Sequence, residues 1–380
     1  MAAYLDHAAS TPMRPEAVEA MVSHLRDTYA NPSGAHRPAR AARRAIDEVR
    51  DTMAELTGAQ PGEIVFTSGG TEADNLAVFG VHDCVGGTVV ASAIEHHAVL
   101  DPVRARGGRL VGVHPGGAVD LDALAATLDP DVRLVTVMLV NNEVGAVQPL
   151  AEVIALVREL APAAVVHTDA VQSATWLDVA ARADGADLVS VSAHKFGGPK
   201  GVGALAVREG VELSARQIGG GQERERRSGT PDVAGIVAMG VAARLAIDER
   251  ASVVERVTAL RDRLAEGLAA RVPGLVETGA DGPADRGDRV PGILHVCIEG
   301  IESESLLYLL ERDEVFASAA ASCASGAMEP SHVLAAMGVS PTLARGSLRL
   351  SLGWSSSDID VDAALATVPP AVERLRRFAA

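Results

Sequence analysis

At 380 residues and 48% apolar content, the chain is long enough for one large domain and a smaller companion, each with its own core. No apolar run approaches the roughly 18 residues of a membrane helix, and Met1 to Pro12, which holds Asp6 and His7, lacks the basic and apolar regions of an export signal. A net charge of -16 argues against general nucleic-acid binding, while Cys84, Cys297 and Cys323 form neither a disulfide framework nor a paired metal site, so a reducing cytoplasm is expected.

From residue 36 to 250, short β-branched runs alternate with Ala/Arg/Glu-rich stretches of helical period. Strands are predicted at 64–67, 88–94, 109–113, 134–140, 164–168, 188–193 and 203–207, and helices at 39–56, 150–160 and 232–249. This alternation predicts an α/β fold, in which a mostly parallel sheet is covered on both faces and ligands sit at the carboxyl ends of its strands. After Arg250 the pattern changes to a separate long helix at 252–271, a Gly/Asp/Pro-rich surface loop at 279–291 and a strand at 293–299. The expected division is a large domain, 16–250, and a small α+β domain, 251–380, with which segment 1–15 associates.

Four signals fall at predicted strand ends. In Phe66-Thr67-Ser68-Gly69-Gly70-Thr71-Glu72 a strand gives way through glycines to a helix, whose free N–H groups and positive end suit an anion, with Thr71 adding a hydroxyl. His96 follows the next strand, where an imidazole can stack on a flat heterocycle and exchange protons near pH 7. Asp169 directly follows an apolar strand and could hold a pyridine nitrogen protonated or simply cap a helix; Gln172 reaches the same place from the side. The fourth is Ser192-Ala193-His194-Lys195, with Ser192 and His194 flanking the lysine as phosphate or cofactor ligands would.

Lys195 and Lys200 are the only lysines, and the other 32 of the 34 basic residues are arginine. Arginine serves wherever only positive charge is needed but cannot offer a neutral nitrogen to a carbonyl, so a retained lysine is suspected of amine chemistry. Anion cup, stacking ring, pyridinium carboxylate and Schiff-base lysine together specify pyridoxal 5'-phosphate. Cys323, in the small-residue run Ser322 to Ser331, is expected in an accessible loop, whereas Cys297, among apolar neighbours, reads as a core thiol.

With these residues in hand, the chain resembles the cysteine desulfurases, the NifS/IscS-like group of the class V aminotransferase family. The resemblance is carried by Tyr4 to Pro12, Asn31 to Gly34, Thr67 to Asn75, Glu95-His96, Asn141 to Gly145, Asp169 to Gln172, His194-Lys195, Arg227 to Thr230, Cys323 to Ser331 and Leu348 to Ser351. It implies the fold type I architecture of pyridoxal-phosphate-dependent transferases and conversion of L-cysteine to L-alanine, with a persulfide on Cys323.

The same resemblance implies that Lys195 carries the cofactor, His96 stacks on it and shuttles protons, Asp169 partners the pyridinium and Gln172 bonds the phenolic oxygen. Gly70, Thr71, Ser192 and His194 hold the phosphate, joined by Thr230 from the other subunit of a homodimer. Asn142 and Arg349 take the substrate carboxylate, with Asn142 also beside the cofactor. A protein acceptor receives the sulfur, for iron-sulfur assembly, tRNA thiolation or another pathway. Selenium chemistry, another reaction of the same cofactor and a silent scaffold remain open alternatives. The chain departs from the family pattern at His7, often Asn, and at Trp354-Ser355-Ser356, often Arg-Phe-Thr.

Overall fold

A computed structural model describes residues 2–280, 288–319 and 331–379. After β1 (Ala3–Tyr4), the central sheet collects β2 (Ile64–Thr67), β3 (Thr88–Ser92), β4 (Arg109–Val111), β5 (Val132–Thr136), β6 (Val165–Asp169), β7 (Leu188–Ser192) and β8 (Gly203–Val207). The strand order is β2-β8-β7-β6-β5-β3-β4. Strands β3 to β7 run parallel, and β8 lies antiparallel to both neighbours. The link from Ser192 to Gly203 is too short for a helical crossover, so the chain turns back instead.

Helices α1 (Pro15–Asp27), α2 (Arg37–Thr57), α3 (Gly70–Val85), α4 (His97–Ala105), α5 (Leu121–Thr127), α6 (Leu150–Leu160), α7 (Val179–Arg182) and α8 (Val233–Ala269) accompany this sheet. Asp120, Asp178 and Asp232 start α5, α7 and α8 by accepting a bond from the N–H three residues on, which satisfies an otherwise orphaned donor. Strand residues alternate between two apolar layers. Val90, Val135 and Val166 face Val49 and Met53 of α2, Val153 of α6 and Met239 of α8. Val89, Leu134 and Leu205 face Leu76 of α3 and Val99 of α4. Both faces are therefore dry, as the near-continuous apolar strands require.

A second core lies around β9 (Leu275–Glu277), β10 (Ile293–Ile298) and β12 (Ser347–Ser351), an antiparallel sheet in the order β12-β10-β9. The remaining strand β11 (Val315–Phe316) pairs in parallel with β1. The other helices are α9 (Ser303–Arg312), α10 (His332–Ala336), α11 (Pro341–Ala344) and α12 (Asp358–Ala379). Leu294, Val296 and Leu350 of the sheet bury against Leu264 of α8, Leu306 of α9 and Val361 of α12, joined by Ala3 and Leu5 from the N-terminus. Each such side chain contributes roughly 1.5–3 kcal/mol by leaving water.

One expectation is corrected. The two helices anticipated at 232–249 and 252–271 are a single helix, α8, because Glu249 to Ser252 contains no proline or glycine to break it. Its first half packs on the large sheet and its second half on the small one. Among the described residues, no helix is long and apolar enough to cross a membrane.

Candidate active site

The carboxyl ends of β2, β3, β6 and β7 converge with segment 6–11 and β12 on a cavity of about 410 Å³. Gly70, Thr71, His96, Asn142, Asp169, Gln172, Ser192, His194, Lys195 and Arg349 all line it. Thr230 is exposed and lies outside this lining, and Cys323 lies outside the described residues. Of the other thiols, Cys84 is exposed and Cys297 is buried, which pushes its pKa up.

β2 ends at Thr67, and Gly69, at φ 148°, takes up the N-cap of α3 without a capping side chain. The first-turn N–H groups beside Gly70 and Thr71 are thus left for an outside acceptor. A side chain at position 70 would meet Val171 Cγ2 at 2.8 Å, so glycine keeps this end of the cavity open. Ser192 closes β7, and His194 and Lys195 follow in a turn of 3-10 helix, Ala193–Lys195.

The Lys195 amine donates to the carbonyls of Ala8 (2.5 Å) and Ala9 (2.9 Å). Burial, and then the charge of Arg349, lower its pKa to about 8, against the opposing pull of Asp169 and Asp6. Deprotonation near neutral pH therefore costs little. Asp169, the last residue of β6, accepts from the Val171 N–H (2.8 Å), and burial raises its pKa to about 6 despite that bond and the nearby Lys195. A carboxyl in that state calls for a cationic partner from the cavity. Gln172 Nε2 donates to Ala8 O (2.7 Å), the same carbonyl that receives the lysine.

His96 caps α4, accepting from the Ala98 N–H at Nδ1 (3.1 Å). Burial, followed by the charge of Lys195, lowers its pKa to about 4. This differs from the expected exchange near pH 7: the ring is neutral there, and only a change in its surroundings could charge it. His194 reaches Ser10 Oγ (3.3 Å) and is likewise lowered to about 4, first by burial.

On β12, Arg349 donates to Asn142 O (2.9 Å) and to Asp6 Oδ1 (2.8 Å), while its buried Nε has no hydrogen-bond partner among the described residues. Sequence reasoning overlooked Asp6 and Asp74 as parts of this site. Asp74 lines the cavity with Oδ1 3.6 Å from His167 Nε2, and burial raises its pKa well above the ordinary value. Its spacing of three from Thr71 puts the two on one helical face, which was the available signal.

Pyridoxal 5'-phosphate fits these residues. An uncapped helix end with hydroxyls from Thr71 and Ser192 suits its phosphate, buried Asp169 suits a protonated ring nitrogen, and a lysine of lowered pKa suits its aldehyde. The two departures from the family pattern meet each other: His7 Nε2 lies 3.2 Å from Ser356 Oγ, both buried.

Comparison with known proteins agrees in length and shape. The aminotransferase class-V family matches residues 3–364. The IscS-like cysteine desulfurase of Mycobacterium tuberculosis is 44% identical, over 99% of this chain and 98% of its own. A solved NifS-like protein has a TM-score of 0.91 at 32% identity, covering 99% of this chain and 100% of its own. SspA, solved in complex with cysteine, has a TM-score of 0.78 at 30% identity, covering 93% and 100%. A likeness this extensive identifies a family as well as a fold, and the chain belongs to the aminotransferase class-V family, among its IscS-like and NifS-like cysteine desulfurases.

Proposed function

We propose that this pyridoxal-phosphate-dependent enzyme converts L-cysteine to L-alanine and holds the released sulfur as a persulfide on Cys323. The observation that carries the reading is Lys195: a half-buried amine lowered to about 8, in one cavity with Asp169, His96 and Arg349. When bound, the cofactor supplies an aldehyde for amines and a ring that withdraws electrons. Lys195 would hold that aldehyde, and its amine, when free, is the group placed to move the proton of the substrate α-carbon. Asp169 would keep the ring nitrogen protonated, His96 would stack on the ring as a neutral imidazole, and Gln172 would donate to the phenolic oxygen. Gly70, Thr71, Ser192 and His194 receive the phosphate, with Thr230 contributed across a homodimer.

Arg349 takes the substrate carboxylate in a bidentate pair, assisted by Asn142, with N–H donors beyond the two that bond Asn142 O and Asp6. The Cys323 thiolate attacks the substrate sulfur. An S–S bond forms as the C–S bond breaks, and the freed electron pair ends in a C–H bond of alanine. The persulfide sulfur then passes to a protein acceptor in the cytoplasm.

The test is direct. Lys195→Ala is expected to abolish alanine release, and Cys323→Ser to keep the absorbance of bound cofactor while losing persulfide. Turnover by the first variant, or persulfide label on Cys84 or Cys297, overturns the assignment.

A further inference from the structure

Segment 6–11 faces Lys195, and its conformation is set from behind. His7 is 6% exposed, with Nδ1 2.7 Å from Thr11 Oγ1 and Nε2 3.2 Å from Ser356 Oγ. A neutral imidazole carries one donor and one acceptor, which matches two hydroxyls able to play either part. Burial lowers the His7 pKa to about 4, which keeps the ring neutral at physiological pH. The ring also needs the space that Gly353 leaves: a Cβ there would stand 2.1 Å from Nδ1. Ser356 Oγ is itself fixed by the Gly353 N–H at 2.9 Å, so the loop after β12 holds the ring firmly.

We infer that His7 is a positioning residue for Lys195: bridging Thr11 and Ser356, its ring fixes the Ala8 carbonyl, which receives both the lysine amine and the Gln172 amide. The carbonyl adjoins the bridged ring directly in the chain, and Ala8 has no side chain of its own with which to anchor it. The Ala8 N–H is bonded to Ser351 Oγ (2.9 Å), which fixes the far side of the same unit to β12. His7 thereby couples the loop after β12 to the reactive amine without touching it. The inference rests on the reading of Lys195 as the reactive amine.

The chain offers its own internal standard, because Lys200 is its only other lysine and is exposed. Full-length cofactor-free protein is acetylated with acetic anhydride across pH 6–11, and the extents at Lys195 and Lys200 are read by peptide mass spectrometry. In the parent protein the Lys195 midpoint lies near pH 8, below the ordinary value of a lysine amine. In His7→Ala and in the milder Ser356→Ala, segment 6–11 loosens and water reaches the amine. Its midpoint then rises, and labelling at pH 8 relative to Lys200 falls roughly threefold. His7→Gln, whose amide keeps a donor and an acceptor, restores the parent midpoint. Unchanged Lys195 midpoints in both loss variants, with only a lower melting temperature, overturn the inference. Borohydride fixation of the cofactor on Lys195 in the parent protein tests the underlying reading separately.

Discussion

Lys195 and Asp169 hold each other in working states. Burial drives the amine towards neutrality and the carboxyl towards protonation, and the charge of each opposes the shift of the other. Asp169→Asn removes this reciprocity. Turnover is expected to fall by roughly 100-fold or more, as for loss of a group that controls proton transfer, and the Lys195 amine to titrate lower still. Steady-state kinetics with the acetylation profile read both; unchanged turnover would rule out the carboxylate's part. Asp169 was legible because it ends an apolar strand, where a fold of this class gathers its ligands, and Lys195 because it is one of only two lysines and lies just past the next strand. Asp6 was not, because what marks it is its pairing with Arg349, far away in the chain, and Asp74 offered only its spacing from Thr71, its burial being set by distant residues. His96 was legible as a ring in the right place but not in its protonation, which is set by burial and by Lys195.

Strands and long helices were read from period and β-branched content, and most fell within a few residues of their observed positions. The run predicted at 134–140 stops at Thr136 because the Met138 N–H turns to the buried Glu95 carboxyl (2.7 Å), a partner that local sequence cannot reveal. The turn before α8 was equally hidden. Glu223, Arg224 and Glu225 all have positive φ, 47°, 55° and 64°, which costs non-glycine residues on the order of 1–2 kcal/mol each. A buried ion pair holds the turn: Arg50 donates to Glu223 at 2.9 and 3.0 Å, and the Phe66 N–H donates to the same carboxylate at 3.0 Å. Glu223→Ala leaves Arg50 buried without its counter-charge, and the expected loss is about 3 kcal/mol in urea unfolding. A loss below about 1 kcal/mol would mean that the pair acts as an exposed one does.

The whole molecule carries buried groups that pull its acid stability in opposite directions. Burial pushes His7 and His96 to about 4 and His167 and His295 to about 3, so the unfolded chain binds their protons first. Their stabilisation is complete above pH 6.5 and is lost as pH falls towards 3–4. Glu143 behaves oppositely: burial raises it to about 7 even though Ser331 Oγ donates to it at 2.5 Å. Its contribution is full below pH 4.5 and lost as pH rises through 7. Two near-isosteric substitutions separate the effects. Relative to the parent, Glu143→Gln is expected to gain about 3 kcal/mol between pH 4.5 and 7.5, and His295→Gln about 3 kcal/mol as pH falls from 6.5 to 4. Urea unfolding at half-unit pH steps gives both curves. Equal slopes for parent and Glu143→Gln would show that this carboxyl is ionised in the fold, with Arg349, the nearby charge that favours the anion, outweighing burial. Because Glu143 adjoins Asn142 and bonds Ser331, its protonation near neutral pH joins stability to the geometry around Arg349, and His295, bonded to Thr278 and paired with Arg349 across the small sheet, reaches the same arginine at more acid pH.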